Sequence, residues 1–191
     1  MGTQRPNLET GVNMDCPSPE EMNKNKDAII TLLRYTQREN IESLIEYLCD
    51  SDYFHAPAST KYHLNFPGGL AMHSISVYKT LRRLCSEFDI DIPEESIIIT
   101  CLLHDVCKIG AYKPQGDSYT YNRNQPPGHG DLSVSRILNY IELTDQERLM
   151  IRWHMNHYDR AFERQENTIS KQCPEIYIMY FADHISTAYL E

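Results

Sequence analysis

The sequence has no Cys-x-x-Cys pair, no long apolar run and no excess of positive charge, and each absence removes a class of function. Without cysteines at knuckle spacing, a thiolate zinc finger or a thioredoxin-like site has no support. Apolar runs such as 28–30 and 97–99 are far too short to cross a bilayer, so nothing is expected to span a membrane. Residues 1–19 carry Gly, Asn, Pro and Thr but no basic start followed by an apolar stretch, which is not the layout of a secretion signal. Lys and Arg number 18 against 27 Asp and Glu, and the net charge of −9 repels phosphate backbones at long range. That disfavours extended nucleic-acid binding and leaves a small substrate, or a strand end held by a metal. Internal repeats and low-complexity tracts are also missing.

What is present suits one all-α domain. A chain of 191 residues that is 41% hydrophobic can bury one sizeable core. We expect a flexible tail over 1–22 and a helical domain over 23–191. Apolar residues recur at helical spacing in 23–37 (Ile29, Ile30, Leu32, Leu33) and again at Ile41, Leu44, Ile45 and Leu48. Residues 51–69, rich in Pro, Ser, His and Gly, read as a loop leading into a helix over 69–88 that carries His73. Pro93 suits the first position of the next helix, whose stretch 97–103 is apolar on every side and which is expected to end near Lys108 and Gly110. Around 111–127 the alternation of Tyr112, Tyr119 and Tyr121 predicts a small hairpin. Helical signals resume over 131–140, over 144–154 with Thr144 as N-cap and Glu147 three residues on, and over 174–190. The six cysteines (Cys16, Cys49, Cys85, Cys101, Cys107, Cys173) mostly fall inside apolar helical patterns, so they read as reduced, buried thiols of a cytoplasmic protein.

Four features carry chemistry: His73, the dipeptide His104-Asp105, His129 between two glycines, and Asp183 on the last amphipathic segment. A lone helical histidine is ordinarily a core or surface residue. The setting of His104 and Asp105 changes that, because they close the most apolar helix, where an imidazole and a carboxylate are costly unless paired or metal-bound. Histidine nitrogens with carboxylate oxygens suit Mn, Fe, Co, Ni or Zn, and Mg remains open. The ligands lie on separate helices, so a metal site would be assembled inside a bundle.

These residues resemble the HD-domain metal-dependent phosphohydrolases, a family named for the pair seen here as His104 and Asp105. The resemblance spans roughly 66–188 and rests on Gly68-Gly69-Leu70-Ala71-Met72-His73-Ser74, on Leu102-Leu103-His104-Asp105-Val106-Cys107-Lys108-Ile109-Gly110, on Gly128-His129-Gly130-Asp131, on Arg152-Trp153-His154 and on Phe181-Ala182-Asp183. It implies one or two divalent ions: a first held by His73, His104, Asp105 and Asp183, and a second using His129 and His154, with Asp105 bridging. Paired ions of this kind supply Lewis acidity and an activated water for attack on phosphorus. Asp105 and Lys108 are then the catalytic candidates.

Lys108 follows His104 by one helical turn and can steady a phosphate oxygen; by itself it would be a helix-end cation. His157 shares a face with His154 if that helix continues, and is a candidate substrate contact. His55, His63 and His184 read as structural or surface residues, the hairpin tyrosines pack rather than stack on a base, and Lys61 is a weak candidate for the pocket rim. The leading expectation is hydrolysis of a small phosphate mono- or diester, with a nucleotide as substrate. Oxygen chemistry at two irons, or a metal-stabilised regulatory module without turnover, are the alternatives. An exoribonuclease branch of the family has a similar 66–73 segment but carries an additional nucleic-acid-binding domain; the 191 residues leave no room for one, so processive action on RNA is not expected.

Overall fold

The computed structural model describes residues 16–60, 63–116, 118–126 and 128–190. Most of the tail, residues 1–15, and Lys61 of the rim lie outside them. Among the described residues the chain forms helices α1 (Pro19–Tyr35), α2 (Ile41–Asp50), α3 (Gly69–Phe88) and α4 (Glu94–Leu103), a hairpin of β1 (Tyr112–Gln115) and β2 (Ser118–Tyr121), and then α5 (His129–Ile137), α6 (Asp145–Trp153), α7 (Arg160–Gln172) and α8 (Glu175–Ile185). The fold is all-α, and the hairpin is antiparallel with Tyr112 opposite Tyr121. No helix among the described residues is long and apolar enough to cross a membrane. All six cysteines are free thiols, and Cys85, Cys101, Cys107 and Cys173 are buried.

Local chemistry explains the boundaries. Helix α1 begins at Pro19, inside the stretch assigned to the tail, because Ser18 and Glu21 form a capping box: the Glu21 N–H donates to Ser18 Oγ at 3.3 Å and the Ser18 N–H to the Glu21 carboxylate at 2.8 Å. Thr144 and Glu147 build the same device at the start of α6. Pro93 is the N-cap of α4 rather than its first helical residue. From Ser96 to Leu103 every residue of α4 is buried, and the helix packs on α1, α3 and α6 as the central strut. Full burial of each large aliphatic there contributes about 1.5–3 kcal/mol.

One expectation about continuous structure is overturned. Helix α4 stops at Leu103 rather than near Lys108, and after Asp105 the chain tightens into a three-residue 3-10 turn, Val106–Lys108. Helix α6 stops at Trp153, close to its expected end at 154, and a 3-10 turn at Asn156–Tyr158 follows, with Asn156 at φ +46°. The 51–69 loop is also less open than its composition suggests. Tyr53, Phe54, Ala56, Ala58 and Leu64 are buried, and the Tyr53 hydroxyl lies 3.0 Å from Ser74 Oγ on α3. The loop crosses the start of α3 so closely that a Cβ at Gly69 would stand 2.1 Å from the Leu64 carbonyl oxygen, so only glycine fits there.

Candidate metal centre

The breaks after α4 and α6 build the site. In a continuous helix neighbouring residues point about 100° apart, so His104 and Asp105 could not both face one centre. Because α4 ends at Leu103 and the backbone leaves helical geometry at Asp105 (φ −108°, ψ 16°), they do. His104 and His154 cap their helices in the same way: the His104 Nδ1–H donates to the Cys101 carbonyl at 2.8 Å, and the His154 Nδ1–H to the Ile151 carbonyl at 2.7 Å. Each bond satisfies a carbonyl left over at a helix C-terminus and fixes the tautomer, turning the bare Nε2 inward. Both Nε2 atoms are buried without a hydrogen-bond partner.

Asp105 lies at the middle. Its Oδ2 is 2.6 Å from Lys108 Nζ, 3.4 Å from His104 Nε2 and 3.7 Å from His73 Nε2, while its Oδ1 is 2.7 Å from His129 Nε2 and 3.7 Å from His154 Nε2. The 3-10 turn, with about three residues per turn, eclipses positions 105 and 108, so Lys108 meets Asp105 rather than tracking His104 along a helix. His73 Nε2 stands 3.1 Å from Asp183 Oδ1, which ties α3 to α8. His129 reaches the cluster because α5 starts against the end of α6; a Cβ at Gly130 would lie 2.1 Å from the Arg152 carbonyl oxygen. The His129 and His154 rings are 5.2 Å apart.

The electrostatics match the geometry. Burial works against charge on Asp105, but Lys108, His104 and His129 outweigh it and hold the carboxyl well below the usual carboxylate range. For Asp183 burial is likewise outweighed, chiefly by His73, and its carboxyl is held low too. Burial, reinforced by His104 and His129, pushes His154 down to about 3 and keeps it neutral. Burial opposes a proton on His129, yet Asp105 prevails and raises it to about 10.

Three groups of donors have ligand atoms within 4.8 Å of one another: His73, His104 and Asp183; His104, Asp105 and His154; and Asp105, Cys107 and His129. The six residues expected to bind metal therefore converge. Carboxylates and imidazoles, with the Nε2 atoms of His104 and His154 buried and without a hydrogen-bond partner, are donors that suit a divalent cation, so the set fits one.

A cavity of about 570 Å³ opens onto this cluster, lined by Lys108, Tyr112, Met155, Tyr158, Tyr180 and His184 among others. His157 is not in its wall. The helix break turns that side chain out to an exposed position 3.6 Å from Glu166, with its ring 5.6 Å from Phe162. His63 and His184, assigned to structural or surface roles, do line the cavity, and the His63 ring is 5.1 Å from that of His73. His55 is exposed and outside it. Cys107 entered the sequence reading only as a buried thiol, although its place two residues after Asp105 was a usable signal. For His63 and Tyr158 there was none.

Comparison with known proteins agrees with this picture. The 3'-5' exoribonuclease YhaM of Bacillus subtilis (strain 168) is 27% identical over 152 residues, covering 75% of this chain and 48% of that protein. The chain thus spans about half the length of this curated relative. No solved structure matches. The HD domain matches residues 70–188, more than half of the chain, with His104 and Asp105 at the centre of the donor cluster. The chain belongs to the HD-domain family of metal-dependent phosphohydrolases.

Proposed function

We propose that this protein hydrolyses the phosphate ester of a nucleotide, mono- or diester, in the cavity above Asp105. The observation that carries the reading is a cavity wall that joins metal donors, a half-buried lysine and aromatic rings. Divalent ions held there supply Lewis acidity and an activated water. Asp105, with one oxygen toward His73 and His104 and the other toward His129 and His154, has the orientation to bridge two of them. Lys108, half-buried beside Asp105 and Tyr112, keeps its proton and donates to a phosphate oxygen.

At the far side of the cavity the Tyr180 ring stacks on His184 with centroids 5.4 Å apart, and Tyr158 lies 6.3 Å from His184 at 29°. Tyr158 is 70% exposed and offers a free face. A base stacked on such rings gains about 1–3 kcal/mol, which supports a nucleotide over a simple sugar phosphate. These rings take the role considered for the hairpin tyrosines.

The test uses the full chain loaded in turn with manganese, cobalt, zinc or magnesium and offered mononucleotides, dinucleotides and aryl phosphates. Release of phosphate or of a nucleoside monophosphate is expected. Silence with every metal bound overturns the reading. His104→Ala and Asp105→Ala are expected to lose metal and activity together, whereas Lys108→Ala keeps the metal and turns over slowly; equal metal content and equal rates in all three overturn the roles assigned. A second reading, removal of residues from the 3' end of a short RNA, is favoured by the activity in the relative's name. Short oligonucleotides tested beside mononucleotides separate the two.

A further inference from the structure

Cys107 sits on the 3-10 turn that follows Asp105. Its N–H donates to Ser133 Oγ on α5 at 3.1 Å, which holds the turn against the helix that carries His129. The side chain is 4% exposed. Its Sγ lies 3.7 Å from His129 Nε2 and 4.0 Å from Asp105 Oδ1, and these two atoms are 2.7 Å from each other. The same Oδ1 is 3.7 Å from His154 Nε2, a buried nitrogen without a hydrogen-bond partner. Sulfur, the His129 imidazole and a carboxylate oxygen thus form one group of donors within 4.8 Å of one another, and Asp105 is shared with the neighbouring group of His104 and His154.

The separations are those of a coordination shell. Bonds of about 2.3 Å to sulfur and about 2.0–2.1 Å to nitrogen, arranged tetrahedrally, place sulfur and nitrogen roughly 3.6 Å apart. The Sγ–Nε2 separation of 3.7 Å matches, and the Sγ–Oδ1 separation of 4.0 Å is slightly wide. Only the Nε2–Oδ1 edge, at 2.7 Å, must open to admit an ion. Sγ also stands 3.2 Å from His129 Nδ1, so the competing role for the thiol is to aim the imidazole without touching the metal.

We propose that Cys107 is a direct thiolate donor to an ion held by Asp105 and His129. The thiol proton leaves to solvent as the ion binds. A sulfur donor makes this half of the centre favour zinc, cobalt or iron over magnesium, while the His73, His104 and Asp183 half keeps nitrogen and oxygen donors alone. The inference rests on the reading of Asp105 and His129 as metal ligands, and not on the identity of the substrate.

The experiment is cobalt(II) loading of the full chain followed by absorption spectroscopy. A near-ultraviolet sulfur-to-cobalt charge-transfer band is expected in the wild type and in Cys173→Ala. It should vanish in Cys107→Ser, while visible ligand-field bands from the nitrogen and oxygen donors persist. Zinc affinity of that variant should fall by about tenfold or more, the lower bound seen when even an outer partner of a ligand is lost. Bound cobalt with ligand-field bands and no charge-transfer band overturns the thiolate alone and leaves the other ligands standing. Failure of the wild type to bind cobalt at all overturns both. Zinc X-ray absorption on the wild type decides the matter without a variant: a sulfur shell at about 2.3 Å is expected, and a shell of nitrogen and oxygen only refutes the thiolate.

Discussion

Glu147 and Asp105 are both sealed in the interior, at 0% and 2% exposure, and their surroundings differ in one respect. Glu147 meets only hydrogen-bearing partners. Its Oε1 accepts from the Ser96 hydroxyl at 2.8 Å and from Arg38, and its Oε2 accepts from the Thr144 N–H at 2.9 Å and from Arg38 Nη1 at 3.2 Å. That corner is closed, and it staples the α1–α2 connection to α4 and α6. Asp105 instead faces His104 and His154, imidazoles that have already given their Nδ1–H to helix carbonyls and present bare nitrogens. Lys108 and His129 partner Asp105, but the buried Nε2 atoms of His104 and His154 have no hydrogen-bond partner, and a cation between them and the carboxylate would satisfy both. Burial alone does not mark a functional acid; the proton inventory of its neighbours does.

The comparison is broken most severely at its centre. Asp105→Ala should weaken metal retention by more than about 100-fold, the upper end for losing merely an outer partner, and abolish hydrolysis; elemental analysis after gel filtration reads this directly. Glu147→Ala should leave metal content unchanged while costing about 3 kcal/mol of stability, because Arg38 loses its buried partner. In a chain of this size that lowers Tm by roughly 6–12 °C. Loss of metal in the Glu147 variant would erase the distinction.

Lys108→Ala tests the boundary between binding and catalysis. Metal content should hold while kcat/KM falls by about 10- to 100-fold, the equivalent of one hydrogen bond to a charged group. Unchanged kcat/KM would remove Lys108 from the phosphate.

Metal-free protein should show the open corner in its pH profile. His154 titrates near 3 in the fold and near about 6.5 when unfolded, so between those values the unfolded chain binds the extra proton and stability falls as pH falls. His129, raised to about 10, binds the extra proton in the folded state, so stability falls as pH rises above about 6.5. Thermal melts in chelator should therefore peak near neutrality, and Asp105→Ala should lose the alkaline decline. A profile indifferent to that substitution would contradict the pairing. The smallest effect is at the cavity rim: Tyr158→Ala should raise KM for a nucleotide by about fivefold, the low end for one stacking contact, with kcat unchanged.

Much of this was legible before any coordinates. Helix α3 was expected over 69–88 and runs from Gly69 to Phe88, and the Thr144–Glu147 box was read correctly, because caps and periodicity are local signals. Helix α7 was passed over. Its stretch is largely polar, with Phe162 and Ile169 as its buried residues, and Asp159 caps it by accepting the Ala161 N–H. The break at the end of α4 was invisible because helix propensity does not say where packing stops a helix. The alignment of His157 with His154 held only if α6 continued, and it ends at Trp153.

Side-chain type and order along the chain determined the inventory: an all-α fold, and imidazoles and carboxylates spaced so that separate helices must supply them. Only the tertiary structure decided how they are used. Packing ends α4 between residues 103 and 104, spends two imidazole protons on helix carbonyls, splits the oxygens of Asp105 between two donor groups, and brings a thiol to His129. These outcomes depend on distances of a few ångströms between segments far apart in sequence, which no local pattern encodes.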